Sequence, residues 1–204
     1  MTKLLLVRHG ITEMNSSRRF SGHTDVDLSE EGFRQVEKLR QRLAKEQIDA
    51  VYSSDLKRAM STAEVISRGH ETEISSCFEL REIHYGDIEG LNFDEISRQH
   101  PEVAKGLTNF SLELSFPGGE DFKGYTARVC SFRDKLENHA EKHTVLITAH
   151  GGPLRTLICD LLDISQDNWR KFRFDNASLT IVDIYSRGPI LSLLNDTSHL
   201  AEEG

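Results

Sequence analysis

Two short apolar runs limit what this chain can fold into. Leu4-Leu5-Leu6-Val7 lies near the N-terminus, and Thr144-Val145-Leu146-Ile147-Thr148-Ala149 lies far along the chain. Both are continuously apolar at their centres, so each must be covered on two sides. That is the mark of inner strands in a parallel sheet with helices on both faces. Each run closes on a histidine. His9 stands between Arg8 and Gly10, and His150 precedes Gly151-Gly152. Open parallel sheets bind ligands beyond the carboxyl ends of their strands. Two strand-end histidines, one beside an arginine, describe a place suited to attacking and holding an anion.

The remaining pattern alternates strands with helices. Residues 10–28 are polar and read as a loop over that place. Ser29 is suited to cap a helix, with Glu30 and Glu31 in its first turn and Phe33, Val36, Leu39 and Leu43 on one face. Residues 50–53 read as a second strand. Asp55 is the expected cap of the next helix, whose apolar face carries Leu56, Ala59, Ala63 and Ile66. Residues 72–78 suggest a short third strand. Residues 83–124 differ, with helical pieces over 93–99 and 101–107, several phenylalanines and the turn Pro117-Gly118-Gly119. They read as an inserted lid. One long amphipathic helix is expected from Asp121 to His143. Pro153 opens another after the second apolar run, and residues 179–185 and 190–194 close the chain as two strands. The expectation is a single α/β domain over residues 1–204 with a mostly parallel sheet.

A net charge of −8 argues against nucleic acid as a partner. A local cationic pocket for a small phosphorylated metabolite remains compatible with it. The cysteines, Cys77, Cys130 and Cys159, are odd in number and lack C-x-x-C spacing, which points to a reducing compartment. The N-terminal apolar stretch is too short for a signal peptide, and no run is long enough to span a membrane. A cytoplasmic protein without membrane contact is expected, and a homodimer is left open. No metal or cofactor signature is present. His139 and His143, four apart, lack an evident third ligand and read as a solvated face, while His23, His70 and His100 read as exposed. Trp169 reads as an anchor.

Arg58 and Glu82 complete a chemical set. Arg58 falls in the first turn of a helix, where its charge opposes the helix dipole, so an anion partner suits it. Gly10 is expected to let backbone N–H groups approach a ligand. A neutral imidazole is a competent nucleophile near pH 7. Arg8 and Arg58 can hold phosphoryl oxygens through guanidinium forks, and a protonated His150 can donate a further hydrogen bond. Glu82 can protonate the leaving oxygen and then take a proton from water.

At these residues the chain resembles the histidine phosphatase, or phosphoglycerate mutase-like, superfamily. The matching motifs are Arg8-His9-Gly10-Ile11-Thr12 with Asn15, Phe20-Ser21-Gly22 with Asp27-Leu28-Ser29, and Ser53-Ser54-Asp55-Leu56 with Arg58-Ala59 and Thr62-Ala63. Leu80-Arg81-Glu82 with Gly86 and Glu89-Gly90, and Ala149-His150-Gly151-Gly152, follow in the family's order. The resemblance implies a three-layer α/β/α sandwich. It implies that His9 becomes phosphorylated, that Arg8, Arg58 and His150 form the phosphate pocket, and that Glu82 donates the proton. Asn15, Ser21, Gly22 and Gly151 would bind the phosphate or support its pocket.

Phe116-Pro117-Gly118-Gly119-Glu120, Phe172-Arg173-Phe174-Asp175-Asn176 and Leu194 to Leu200 resemble the α-ribazole phosphatase branch of cobalamin assembly. Phe93, Phe110, Phe116, Phe122 and Tyr125 would then offer stacking surface to an aromatic base, or simply form lid core. A mutase would need an arginine clamp, whereas Ile83 follows Glu82 and residues 93–117 hold only Arg98 and Lys105 as strong cations. Tyr85 does match the mutase pattern. A broad-specificity phosphatase, a mutase and a non-catalytic phosphate-binding regulator stay open beside the α-ribazole reading, and the role of His84 near the site stays open too.

Overall fold

The computed structural model describes residues 1–137, 139 and 142–201. Its centre is a six-stranded sheet. β1 (Thr2–Arg8) leads through a short helix α1 (Glu13–Ser16) to α2 (Glu30–Leu43), β2 (Ala50–Ser54), α3 (Lys57–Ser67) and β3 (Ile74–Cys77). Between β3 and the next strand lie α4 (Phe93–Gln99), α5 (Pro101–Asn109), α6 (Phe122–Cys130) and α7 (Arg133–Leu136). β4 (Thr144–Ala149), α8 (Gly151–Leu161), β5 (Leu179–Tyr185) and β6 (Gly188–Asp196) finish the fold. The strand order is β3-β2-β4-β1-β5-β6. The first four are parallel; β5 runs antiparallel to β1, and β6, antiparallel to β5, closes that edge.

The apolar runs occupy the two central strands, and their alternation builds two cores. Leu4 and Leu6 face one cluster with Val145, Ile147 and Ala149, while Leu5, Val7 and Leu146 face the other. The first cluster packs against Tyr125 and Val129 of α6 and Leu154, Leu157 and Ile158 of α8. The second packs against Val36, Leu39 and Leu43 of α2 and Ala63 and Ile66 of α3, whereas Phe33, expected on the same face of α2, is 40% exposed and stays outside it. Helices therefore cover both faces, giving the three layers. Each fully buried Leu, Ile or Val contributes about 1.5–3 kcal/mol by leaving water, which is why both faces of these strands are apolar.

Two local expectations change. The helix expected from Asp121 to His143 is broken after Cys130 and resumes as the single turn of α7; part of its remainder lies outside the described residues. Asp55 does not cap α3. Arg81 takes its carboxylate in a bidentate pair at 2.6 and 2.7 Å. Asp25, from the loop before α2, instead accepts the Lys57 N–H at 2.7 Å. A strong guanidinium partner outcompetes a local cap, and the loop over the site is tied to α3 as a result. Ser29 caps α2 as expected, accepting from the Gly32 N–H at 3.1 Å.

Candidate active site

The parallel pairing of β1 with β4 brings the two histidines together. Arg8 stands opposite Ala149 in the register, and the His9 N–H donates to the Ala149 carbonyl at 3.0 Å. The two imidazole rings meet edge to face, with centroids 5.1 Å apart. The C-terminal ends of β2 and β3 lie beside them and deliver Arg58 through α3 and Glu82 through a 3-10 turn over Phe78–Leu80.

His9 is 3% exposed, and its Nδ1 lies 2.7 Å from the Gly10 carbonyl oxygen. A carbonyl only accepts, so Nδ1 carries the proton and Nε2 keeps its lone pair. Burial, then the guanidiniums of Arg58 and Arg8, push its pKa well below 6.5. The ring is thus a neutral base with its nucleophilic nitrogen set by a backbone bond. Gly10 serves packing and not a ligand. Its N–H donates to Thr62 Oγ1 at 3.2 Å, and a Cβ there would lie 2.7 Å from the Gly32 carbonyl of α2.

Arg58 is 1% exposed. It donates to the Thr24 carbonyl at 2.9 Å, to the Gly22 carbonyl at 2.7 Å and, through Nε, to His150 Nδ1 at 3.2 Å. His150 Nδ1 therefore accepts, and Nε2 donates to Ser54 Oγ at 2.9 Å. The protonated His150 expected from the sequence is replaced by a neutral ring. Burial and the neighbouring Arg58 push its pKa well below 6.5.

This fixes a pH dependence. Unfolded histidine binds a proton near pH 6.5, while buried His9 and His150 do so only well below that. The unfolded chain then holds more protons, so stability is full above pH 6.5 and falls as pH drops from there toward the folded values. Urea midpoints should decline between pH 7 and pH 5, and His150→Asn should flatten the decline. A midpoint that rises over that range would contradict the assignment.

Glu82 is anchored at the N-terminus of α8. One carboxylate oxygen accepts the Gly152 N–H at 3.2 Å and the other its neighbour Ile83 N–H at 3.1 Å. The turn behind it is held by Arg128, which donates to the carbonyls of Phe78, Glu79, Arg81 and Glu82 and is itself gripped by the Glu120 carboxylate at 2.8 Å on each side. Arg8 donates to the Phe174 carbonyl at 2.6 Å. Its Nε and the Ser21 hydroxyl are buried with no hydrogen-bond partner among the described residues. Buried donors without acceptors are costly, and both belong to a cup that an anion would fill.

That cup holds about 180 Å³ and is lined by Arg8, His9, Asn15, Ser21, Gly22, Arg58 and Glu82, all expected from the sequence. Arg18, Arg19, Phe20 and Tyr85 also line it and were not assigned to the site. Arg19 is paired with Glu95 at 2.7 Å. His150 and Gly151 do not line the cup. His150 sits against His9 and Arg58, and Gly151 backs Arg8, where a Cβ would meet Nε at 3.7 Å.

Phe20 and Tyr85 also line a second cavity of about 440 Å³. Phe93, Phe110, Phe116 and Phe122 line it as expected, joined by Trp169, Arg155 and Arg170. Tyr125 does not; it is fully buried and its hydroxyl bonds Thr156 Oγ1 at 3.2 Å. Trp169 does anchor its segment, donating to Thr156 Oγ1 at 3.1 Å, and is also a cavity wall.

Other expected residues act as braces. Asn176 donates to the His9 carbonyl at 3.1 Å and to Asn15 Oδ1 at 3.2 Å. Asn195 and Asp175 exchange hydrogen bonds at 2.6 and 2.9 Å. His199 donates to the Ala177 carbonyl at 3.0 Å. The motifs over 172–176 and 194–200 thus support the end of β1, where Arg8 is followed by His9. His84 lies outside both cavities, stacked on His23 at 4.7 Å. His23 is half-buried and lies 3.0 Å from the Glu82 carbonyl, and His139 bonds the Tyr52 hydroxyl at 3.0 Å; neither is a solvated surface group.

A family described as the histidine phosphatase superfamily (branch 1) matches residues 4–197. Phosphoserine phosphatase 1 of Hydrogenobacter thermophilus is 33% identical over 202 residues, covering 99% of this chain and 96% of the relative. A putative alpha-ribazole-5'-P phosphatase from Escherichia coli superposes with a TM-score of 0.89 at 27% identity, covering 97% of this chain and 98% of that one. A phosphoserine phosphatase from Entamoeba histolytica, a histidine-to-alanine mutant in complex with phosphoserine, superposes with a TM-score of 0.84 at 29% identity over 98% of this chain and 100% of that one.

Proposed function

The chain belongs to the histidine phosphatase superfamily, branch 1, and on that premise we propose that it hydrolyses small phosphomonoesters through a phosphohistidine on His9. One observation carries the reading: a neutral imidazole with its Nδ1 proton held by Gly10, beside two guanidiniums whose cup contains unpartnered buried donors.

The reaction balances on the chain's own groups. His9 Nε2 attacks phosphorus as the bond to the leaving oxygen breaks. Glu82 gives that oxygen its proton. Arg8 and Arg58 take the charge of the transferring phosphoryl oxygens, Ser21 and Asn15 add donors, and His150 holds Arg58 in position. Water then attacks the phosphohistidine, Glu82 takes the water's proton, the P–N bond breaks, and neutral His9 is restored. Because side chains supply the positive charge, EDTA should leave turnover unchanged. Loss on chelation with recovery on adding a divalent ion would contradict this.

The adjoining aromatic cavity favours a leaving group with an apolar, aromatic body, the class that includes α-ribazole 5'-phosphate. Relatives named for phosphoserine make that ester the natural comparator. A phosphate-release screen over α-ribazole 5'-phosphate, phosphoserine, aryl phosphates and both phosphoglycerates, with a mutase assay in parallel, tests the reading. Aryl and nucleoside-like esters should lead. Phosphoryl transfer between phosphoglycerate positions faster than hydrolysis would replace it with a mutase.

A further inference from the structure

Beyond Phe20 and Tyr85, the rings shared by cup and cavity, two guanidiniums stand on the aromatic wall with no ion-pair partner among the described residues. They are differently engaged. Arg170 lies over the Phe110 ring at 5.1 Å and donates to the carbonyls of Leu107 and Thr108, closing the C-terminal turn of α5. Backbone oxygens account for it. Arg155 projects from α8, one turn beyond His150. Its Nε donates to the Phe172 carbonyl at 2.8 Å, and its Cζ lies 4.8 Å from the centre of the Trp169 ring. Both Nη groups are left without a partner among the described residues.

The Nε anchor and the indole stack hold the guanidinium plane, so the open fork is oriented before anything binds. Such a fork matches a carboxylate with two parallel hydrogen bonds, and preorganisation lowers the entropy lost in making them. Arg155 is also close enough to make both Arg8 and Arg170 easier to deprotonate. Three guanidiniums therefore feel one another, Arg8 on the cup and Arg155 and Arg170 on the aromatic wall, in a chain whose net charge is −8. A substrate that neutralised only Arg8 and Arg58 would leave Arg155 unanswered.

We infer that Arg155 is a specificity residue that binds a carboxylate carried by the leaving group of the phosphomonoester. The inference rests on the phosphomonoesterase reading and narrows its substrate to esters with an acid on an apolar body, which sets it apart from α-ribazole 5'-phosphate, whose leaving group carries no carboxylate. It also places the anion grip on α8, whereas the sequence directed attention to residues 93–117, where Arg98 and Lys105 line neither cavity.

The test compares phenyl phosphate with 3- and 4-carboxyphenyl phosphate on wild type, Arg155→Gln and Arg155→Lys. Loss of a charge-assisted pair is expected to cut kcat/KM for at least one carboxylated ester about 10- to 100-fold, mainly through KM. Phenyl phosphate should change less than about twofold, and the lysine variant should recover part of the loss. Equal losses on all three esters, or none, would overturn the inference. If the glutamine variant fails to fold, calorimetric binding of 4-(phosphonomethyl)benzoate and benzylphosphonate to wild type decides. Tighter binding of the acid supports the carboxylate site, and equal affinity overturns it. Wild type that releases no phosphate from phenyl phosphate would fail the phosphatase reading separately, and the phosphonate comparison would still report on Arg155.

Discussion

His9→Ala should lower turnover of every phosphomonoester by about four orders of magnitude or more, the scale on which removing a covalent nucleophile acts. The argument is electronic as well as positional. The Gly10 carbonyl fixes the proton on Nδ1, and burial with two nearby guanidiniums keeps the ring neutral at pH 7, so Nε2 is a standing lone pair. No other imidazole offers this. His150 has its Nδ1 taken by Arg58 and its Nε2 by Ser54. Wild type incubated with radiolabelled ester and quenched in detergent at alkaline pH should carry acid-labile, alkali-stable phosphate on His9, and the alanine variant none. Label on any other residue, or retained activity in His9→Ala, ends the proposal. The fold should survive, because the side chain makes one backbone hydrogen bond and the neighbouring strand pairing does not depend on it.

Glu82→Gln should slow alkyl phosphates by about 10²–10⁴-fold while slowing 4-nitrophenyl phosphate much less. A poor leaving oxygen needs a proton in the transition state, and a nitrophenolate does not. Gly152→Ala should reproduce this selectivity without removing the acid. A Cβ at that position would fall 2.1 Å from Glu82 Oε1 and 2.9 Å from the Tyr125 hydroxyl. The carboxylate must then leave the α8 N-terminus, and the hydrogen bond from the Gly152 N–H at 3.2 Å goes with it. Loss that is the same for good and poor leaving groups, in both variants, would show that Glu82 is structural. Arg128→Gln supplies a graded version, since it loosens the carbonyls behind Glu82 without touching the carboxylate.

Much of this arrangement was legible in the chain itself. Continuous apolar runs cannot be exposed on either side, so β1 and β4 had to be inner strands. Inner parallel strands end where ligands bind, so His9 and His150 were marked before any coordinate. The motif order added Arg58 and Glu82, and Ser29 capping α2 reduces to a short, local pattern. The failures have a common cause. Asp55 reads as a cap because capping is local, but Arg81 reaches it across the fold. Gly10 reads as a ligand glycine because nothing nearby in sequence announces that α2 will press against it.

Residue types and strand-end positions were therefore determined by sequence, since both depend on hydrophobic periodicity and chain order. Protonation states, the open fork of Arg155 and the aromatic cavity were decided only by tertiary structure. A pKa depends on which charges surround a buried ring, and a cavity on which side chains fail to fill a space. Both are sums over neighbours brought together from distant parts of the chain, and no window along the sequence contains them.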